Sequence, residues 1–108
     1  MATGRLATPA QLAATTNTTA YTVPVGYYAV FNVSFTNTGA TAATIRLAMA
    51  STTTPGTAEW IEYDTTIVSK GVFERTGLVA GPGMNIVAWT NTGSAVNVTV
   101  YGIETSTI

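Results

Sequence analysis

The sequence predicts an all-β fold, an antiparallel β-sandwich of about eight strands, on three observations. Apolar residues alternate with polar ones through most of the chain, Gly, Pro and Asn punctuate it every 8–12 residues, and no stretch carries a 3.6-residue apolar period with capping residues. The tetrapeptide Thr-Asn-Thr-Gly also occurs twice, at Thr36–Gly39 and Thr90–Gly93, each time between two alternating runs. This reads as a hairpin drawn twice, and two similar hairpins in a chain of 108 residues imply sheet packed on sheet. Jelly-roll and immunoglobulin-like strand orders both satisfy the local pattern.

Residues 1–17 mix Ala, Thr, Gly, Pro9 and Gln11 without a sustained period and read as an extended N-terminal arm, with residues 18–108 forming one sandwich domain. Leu6 and Leu12 would anchor the arm, to its own sandwich or to a neighbour. Thr19–Val23 is a short strand stopped by Pro24 and turned by Gly26. From Tyr27 the period is two: Tyr27, Ala29, Phe31, Val33 and Phe35 share the face expected to be core, opposite Tyr28, Val30, Asn32, Ser34 and Thr36. Asn37–Ala40 makes the turn, because glycine supplies a positive φ and asparagine bonds its own backbone. The return strand places Ala43, Ile45, Leu47 and Met49 inward and Thr44, Arg46 and Ala48 outward.

Ser51–Ala58, with three consecutive threonines and Pro55-Gly56, reads as a loop between sheets. Glu59–Val68 is a strand, turned by Ser69-Lys70-Gly71 into Val72–Val79, and Gly81-Pro82-Gly83 breaks the chain before the second Thr-Asn-Thr-Gly hairpin, Met84–Thr90 with Ala95–Glu104. Val96, Val98 and Val100 share its core face.

Composition excludes several function classes. There is no histidine and no cysteine, so the commonest general base, the thiol nucleophile, the disulfide and the commonest metal ligands are missing. The remaining pair of interest is Glu62 and Asp64, two apart on one strand face, as a glycosidase or a calcium site would use. Glu74 and Arg75 on the strand taken to face them favour an exposed charge cluster instead, and calcium would need more oxygen ligands. No serine or threonine has a neighbour to activate it, and Lys70 at a turn tip should be solvated. We therefore expect no enzyme, no cofactor and no metal. Three arginines (Arg5, Arg46, Arg75), one lysine and a net charge of -1 leave no basic patch for nucleic acid, and no run is long enough to span a membrane. The first residues lack the apolar stretch of a secretory signal, which places synthesis in a cytoplasm, where the sequons at Asn17, Asn32 and Asn97 carry no weight.

Charged residues are 8% of the chain, against about 25% in an ordinary soluble domain, and threonine is roughly a fifth of it. A neutral hydroxyl surface can be buried without stranding ions, whereas a free monomer with so few charges tends to associate. The composition thus favours a subunit covered in an assembly. Trp60, Trp89, Tyr27 and Tyr28 could alternatively form a sugar-stacking platform, although aromatics at alternating strand positions are more often core. Thr-x-Thr pairs at 36/38, 52/54, 90/92 and 105/107 are too irregular for an ice lattice.

The ordered series Tyr21-Thr22-Val23-Pro24-Val25-Gly26, Asn32-Val33-Ser34-Phe35-Thr36-Asn37, Ala43-Thr44-Ile45-Arg46-Leu47-Ala48, Trp60-Ile61-Glu62-Tyr63-Asp64, Glu74-Arg75-Thr76-Gly77-Leu78 and Val98-Thr99-Val100-Tyr101-Gly102 resembles the small β-rich structural proteins of tailed bacteriophages, cyanophages especially. The resemblance runs from about Ala20 to Glu104. It implies a virion protein assembled in the host cytoplasm: a capsid decoration or cement protein that bridges subunits of the major capsid protein, itself a homo-oligomer (trimer or dimer). It equally implies the alternative of a tail, neck or fibre domain that binds a host-surface glycan. On the first of these, sheet edges and the arm would clamp the shell, with Arg5, Leu6, Leu12, Tyr28 and Trp60 as interface candidates.

Overall fold

A computed structural model describes residues 2–107, so Met1 of the expected arm and Ile108 of the expected sandwich lie outside the described residues. Two antiparallel sheets pack face to face. Nine strands follow in order among the described residues: β1 (Thr3–Arg5), β2 (Ala10–Gln11), β3 (Thr18–Thr22), β4 (Tyr27–Asn37), β5 (Ala43–Ala50), β6 (Trp60–Ile67), β7 (Val72–Ala80), β8 (Asn85–Thr90) and β9 (Val96–Ser106). The only helical element among the described residues is a 3-10 turn at Thr57–Glu59. The first sheet has the order β1-β9-β4-β7, with β2 also on β9, and the second has the order β3-β8-β5-β6.

This order is a jelly roll. If β1 and β2 are taken as one interrupted first strand, the nested pairs are first with last (β1 and β2 on β9), β3 with β8, β4 with β7, and β5 with β6. That nesting is one long antiparallel ribbon rolled on itself, the double-sheet arrangement that leaves few open edges. It also gives residues 2–17 their place. The segment is extended, as expected, and it completes the first sheet: Leu6 and Leu12 donate backbone N–H groups to the carbonyls of Val100 and Val96, both at 2.9 Å. Leu12 is 1% exposed in the common core, and Leu6 is half-buried against it. Both leucines anchor the segment to its own sandwich.

The alternating faces fall where the period of two puts them. Ala29, Phe31, Val33 and Phe35 of β4 and Val96, Val98 and Val100 of β9 are buried against Ile45, Leu47, Ile86 and Ala88 of the second sheet. Tyr27 and Met49 pack at the margin of this core. Glycine 102 is required where it stands, because a Cβ there would lie 2.1 Å from the Val30 carbonyl oxygen across the ladder.

The pairing differs from the local reading at four connections. Neither Thr-Asn-Thr-Gly segment closes a hairpin: β4 and β9 belong to the first sheet and β5 and β8 to the second, so both segments are corners between sheets. They lie against each other at one end of the sandwich, where Thr38 N and Oγ1 donate to the Ala95 carbonyl at 2.7 and 2.9 Å. Asn37 is fully buried there; its Nδ2 donates to the carbonyls of Thr41 and Ile67, and its Oδ1 accepts from Gly39 N. The Ser69-Lys70-Gly71 turn is likewise a corner, from β6 in the second sheet to β7 in the first. Lys70 Nζ donates to the Thr38 carbonyl at 2.7 Å while the residue remains exposed. Conversely, Ser51–Ala58, read as a loop between sheets, joins β5 to its direct neighbour β6, and Glu59, read as the start of the strand, ends the 3-10 turn before it. The turns fall where these residues place them, and Asn37 bonds its own backbone at Gly39 N as expected, but Gly39 does not supply a positive φ: the left-handed residues of the later turns are Lys70 and Ser94. Which sheet receives the chain next is set by nonlocal burial and not by the turn residues.

The edges at β3, β6 and β7 are blunted. Register shifts interrupt β3 and β6, and β7 carries Gly77 at φ 71° beside a shift in its pairing with β4. Bulged, twisted edges template strand addition poorly, whereas β1, exposed on the free side of β9, pairs without a shift.

Candidate functional site

The outer face of the first sheet carries one apolar row. Cross-strand register sets Val30 of β4 opposite Ile103 of β9 and Val79 of β7, with Tyr28 one pleat away opposite Thr105. These side chains point away from the core because their neighbours Ala29 and Phe31 point into it. Their exposures are 40% for Val30, 47% for Ile103, 58% for Val79 and 37% for Tyr28. Together they present roughly 300 Å² of apolar surface, the scale of the largest patch on a typical monomer. The rows beyond are neutral or self-satisfied: Ser34 opposite Thr99, Thr36 opposite Asn97, and a Tyr101 hydroxyl that donates to the Glu74 carboxylate. That hydrogen bond, followed by burial, raises the Tyr101 hydroxyl above its ordinary range. Arg5 is exposed on β1 opposite Tyr101, so it borders the same face.

The outer face of the second sheet is built differently. Trp60 packs on Ala48, Ala50 and Val87, all three fully buried. In a regular strand Tyr63, three residues on, would point to the opposite face. Two register shifts in β6 intervene: Trp60 is paired with Ala48, Glu62 with Leu47 and Thr65 with Ile45. Asp64 adopts φ 55°, a left-handed conformation that costs a non-glycine residue on the order of 1 kcal/mol. The outcome brings Tyr63 back beside Trp60, ring centroids 5.8 Å apart and planes at 73°. The Arg46 guanidinium lies between the rings of Tyr63 and Trp89, 4.0 and 3.9 Å from their centroids, and Asp64 accepts from its Nε at 2.7 Å and its Nη2 at 3.4 Å. Thr57, Trp60 and Tyr63 line an open cleft of about 460 Å³. Glu59 beside it is already engaged, accepting from Gly56 N, Ser51 N and the Ser51 hydroxyl, and the backbone donors of Gly56 and then Ser51 hold its carboxyl below the usual range.

The carboxylates expected as a pair are separated by the same bulges. Asp64 binds Arg46 on the outer face, whereas Glu62 accepts from Arg75 of β7 and from the Thr65 hydroxyl, bridging the open sides of the two sheets. The cross-strand charge cluster is therefore two ion pairs on different surfaces, and the strands of Glu62 and Arg75 face each other across the sandwich, not within a sheet. Among the described residues no group of three or more acidic side chains is arranged to hold a metal, and no helix is long and apolar enough to cross a membrane.

Of the residues expected at an interface, Arg5 and Tyr28 share the outer face of the first sheet, Trp60 lies on the other outer face, Leu6 is half-buried, and Leu12 has no surface to offer a partner. Tyr28 and Trp60 therefore cannot belong to one platform. Sequence reasoning missed Val30, Val79 and Ile103; the outward half of each alternating strand held the signal, and the register that aligns them is nonlocal. It also missed Tyr63 and Arg46, which only the bulges bring together. No family model, no curated protein and no solved structure matches the chain.

Proposed function

We propose that the chain is a non-catalytic structural subunit of a phage virion, a capsid decoration protein that bridges neighbouring shell subunits and assembles with copies of itself. One observation carries the proposal: the aligned row Ile103, Val30 and Val79 with Tyr28, left open on the outer face of the first sheet beside rows of threonine, serine and asparagine. An apolar centre with a polar rim is the anatomy of a protein interface, and apart from Arg5 at its border this rim can be desolvated without burying unpaired charge. A specific interface covers about 800 Å² per partner, so the row would seat its centre and the hydroxyl rows its periphery. Many copies on a lattice convert a modest single contact into firm attachment. The sequence resemblance to small β-rich virion proteins supplies the class of partner, the major capsid protein.

The test is imaging of virions that carry a labelled copy, together with a Val30→Glu variant. Label on the head, lost in the variant, is the expected result. Label confined to neck or fibre, or absent from particles, overturns the proposal. Removing residues 1–17 is a poor test, because it would take Leu12 out of the core and strip β9 of its outer neighbours.

A further inference from the structure

The geometry points to a second binding site, on the opposite face of the sandwich: we propose that the Trp60–Tyr63 corner binds a neutral pyranose sugar. The inference goes beyond the assembly reading and does not rest on it, since the two outer faces share no residue.

The corner is produced by deviations from regular structure. Two register shifts and a left-handed Asp64 turn Tyr63 to the same face as Trp60, and bulges beside binding sites typically serve to re-aim a side chain. Blunting an edge would need the bulges but would not need two large aromatics at their outer side. The rings stand at 73°, one as floor and one as wall of the open cleft of about 460 Å³, within the range of small-molecule sites. A chair-form sugar fits such a corner, because its C–H groups point both from its face and from its side, and each meets the electron-rich face or the edge of a ring. A flat ligand would stack on one wall only.

Charge decides between sugar classes. Arg46 is the cation nearest the cleft, and it has no face to offer: its guanidinium is covered by Tyr63 and Trp89, and its Nε and Nη2 are held by Asp64. Glu59 is satisfied by its own loop. An anionic sugar would meet a cation whose charge Asp64 already neutralises, whereas a neutral one needs only hydroxyl partners, of which Thr57 lines the cleft. The Arg46 stack also fixes Tyr63, so the wall is in place before the ligand arrives.

The experiment is an NMR titration of the intact protein with methyl β-glucoside, methyl β-galactoside and methyl N-acetyl-β-glucosaminide, with N-acetylneuraminic acid as the anionic comparator, following the indole N–H of Trp60 and of Trp89. The expected result is a saturable shift at Trp60 with at least one neutral sugar at about millimolar Kd, weakened about tenfold or more in Tyr63→Ala. Tyr63 is more than half exposed, so that variant folds, and Trp60→Phe serves as a second variant that keeps the packing on Ala48 and Val87. No saturable shift with any neutral sugar, shifts unchanged in Tyr63→Ala, or binding of the anionic comparator alone overturns the proposal.

Discussion

Truncating Leu12 to alanine should cost the protein about 3 kcal/mol, and the reason lies in a segment that looks dispensable in the sequence. Leu12 is 1% exposed, inside the core shared by both sheets, although it belongs to a stretch with only two short strands around it. The substitution removes three carbon atoms from an apolar site, worth about 0.8 kcal/mol each by transfer, and leaves a cavity that adds to this; measured Leu→Ala changes in cores run from about 2.7 to 5 kcal/mol. The lower part of that range applies, because the segment is held on one side only and can settle inward. Urea unfolding followed by tryptophan fluorescence is the assay. With a slope of about 1–2 kcal/mol per molar for a domain of this size, the midpoint should fall by roughly 2 M with the slope unchanged. Removal of the whole segment would uncover β9 and its inward valines and should prevent folding. A loss below about 1 kcal/mol in Leu12→Ala, with the amides of Leu6 and Leu12 exchanging freely, would mean that the segment does not complete the first sheet.

Three further outcomes are expected. Val30→Glu should cost no more than about 1–2 kcal/mol of unfolding free energy, the loss of its cross-strand contacts with Val79 and Ile103, yet abolish association measured by sedimentation velocity, because a carboxylate at the centre of the apolar row would be desolvated without a partner. Gly102→Ala should lose at least about 3 kcal/mol or fail to fold by circular dichroism, since the new Cβ would stand 2.1 Å from Val30 O and 2.7 Å from Phe31 Cα. In an alkaline titration read at 295 nm, Tyr21 should not ionise with the exposed tyrosines: burial, and then its hydrogen bond to the buried Glu104 carboxylate, push its hydroxyl far above the ordinary value of 10.0. The raised value means that the unfolded chain loses this proton first, so the stability it contributes is complete below pH 10 and drains away as pH rises past it. Ionisation of Tyr21 together with the others, without unfolding, would contradict the buried pair.

How much of this was legible in the sequence depends on the range of the cause. The inward faces of β4 and β9 follow from a period of two, so Phe31, Val33, Phe35, Val96, Val98 and Val100 could be assigned without a structure. Turn positions followed from Asn37, Gly39, Gly71 and Gly83 for equally local reasons. The sheet that each strand joins did not, because every nested pair except β5 with β6 closes over a long separation, and the same Thr-Asn-Thr-Gly chemistry suits a hairpin and a corner alike. Residues 2–17 carry almost no period, since β1 and β2 contribute only five paired residues and the inward positions fall to Leu6 and Leu12 alone. The site on the second sheet was hidden for a further reason: the β6 bulges break the very alternation from which faces are read, so Tyr63 could not be placed beside Trp60, and Glu62 could not be parted from Asp64.

The claim on which the function rests is that the outer face of the first sheet is covered in the working assembly. Hydroxyl-radical footprinting of Tyr28, Val30, Val79 and Ile103, comparing the free protein with intact virions, measures this directly. The account predicts that all four react in the free or dilute chain and are protected in particles, while Tyr63 on the opposite face stays reactive. Equal modification of the four in both states would contradict it.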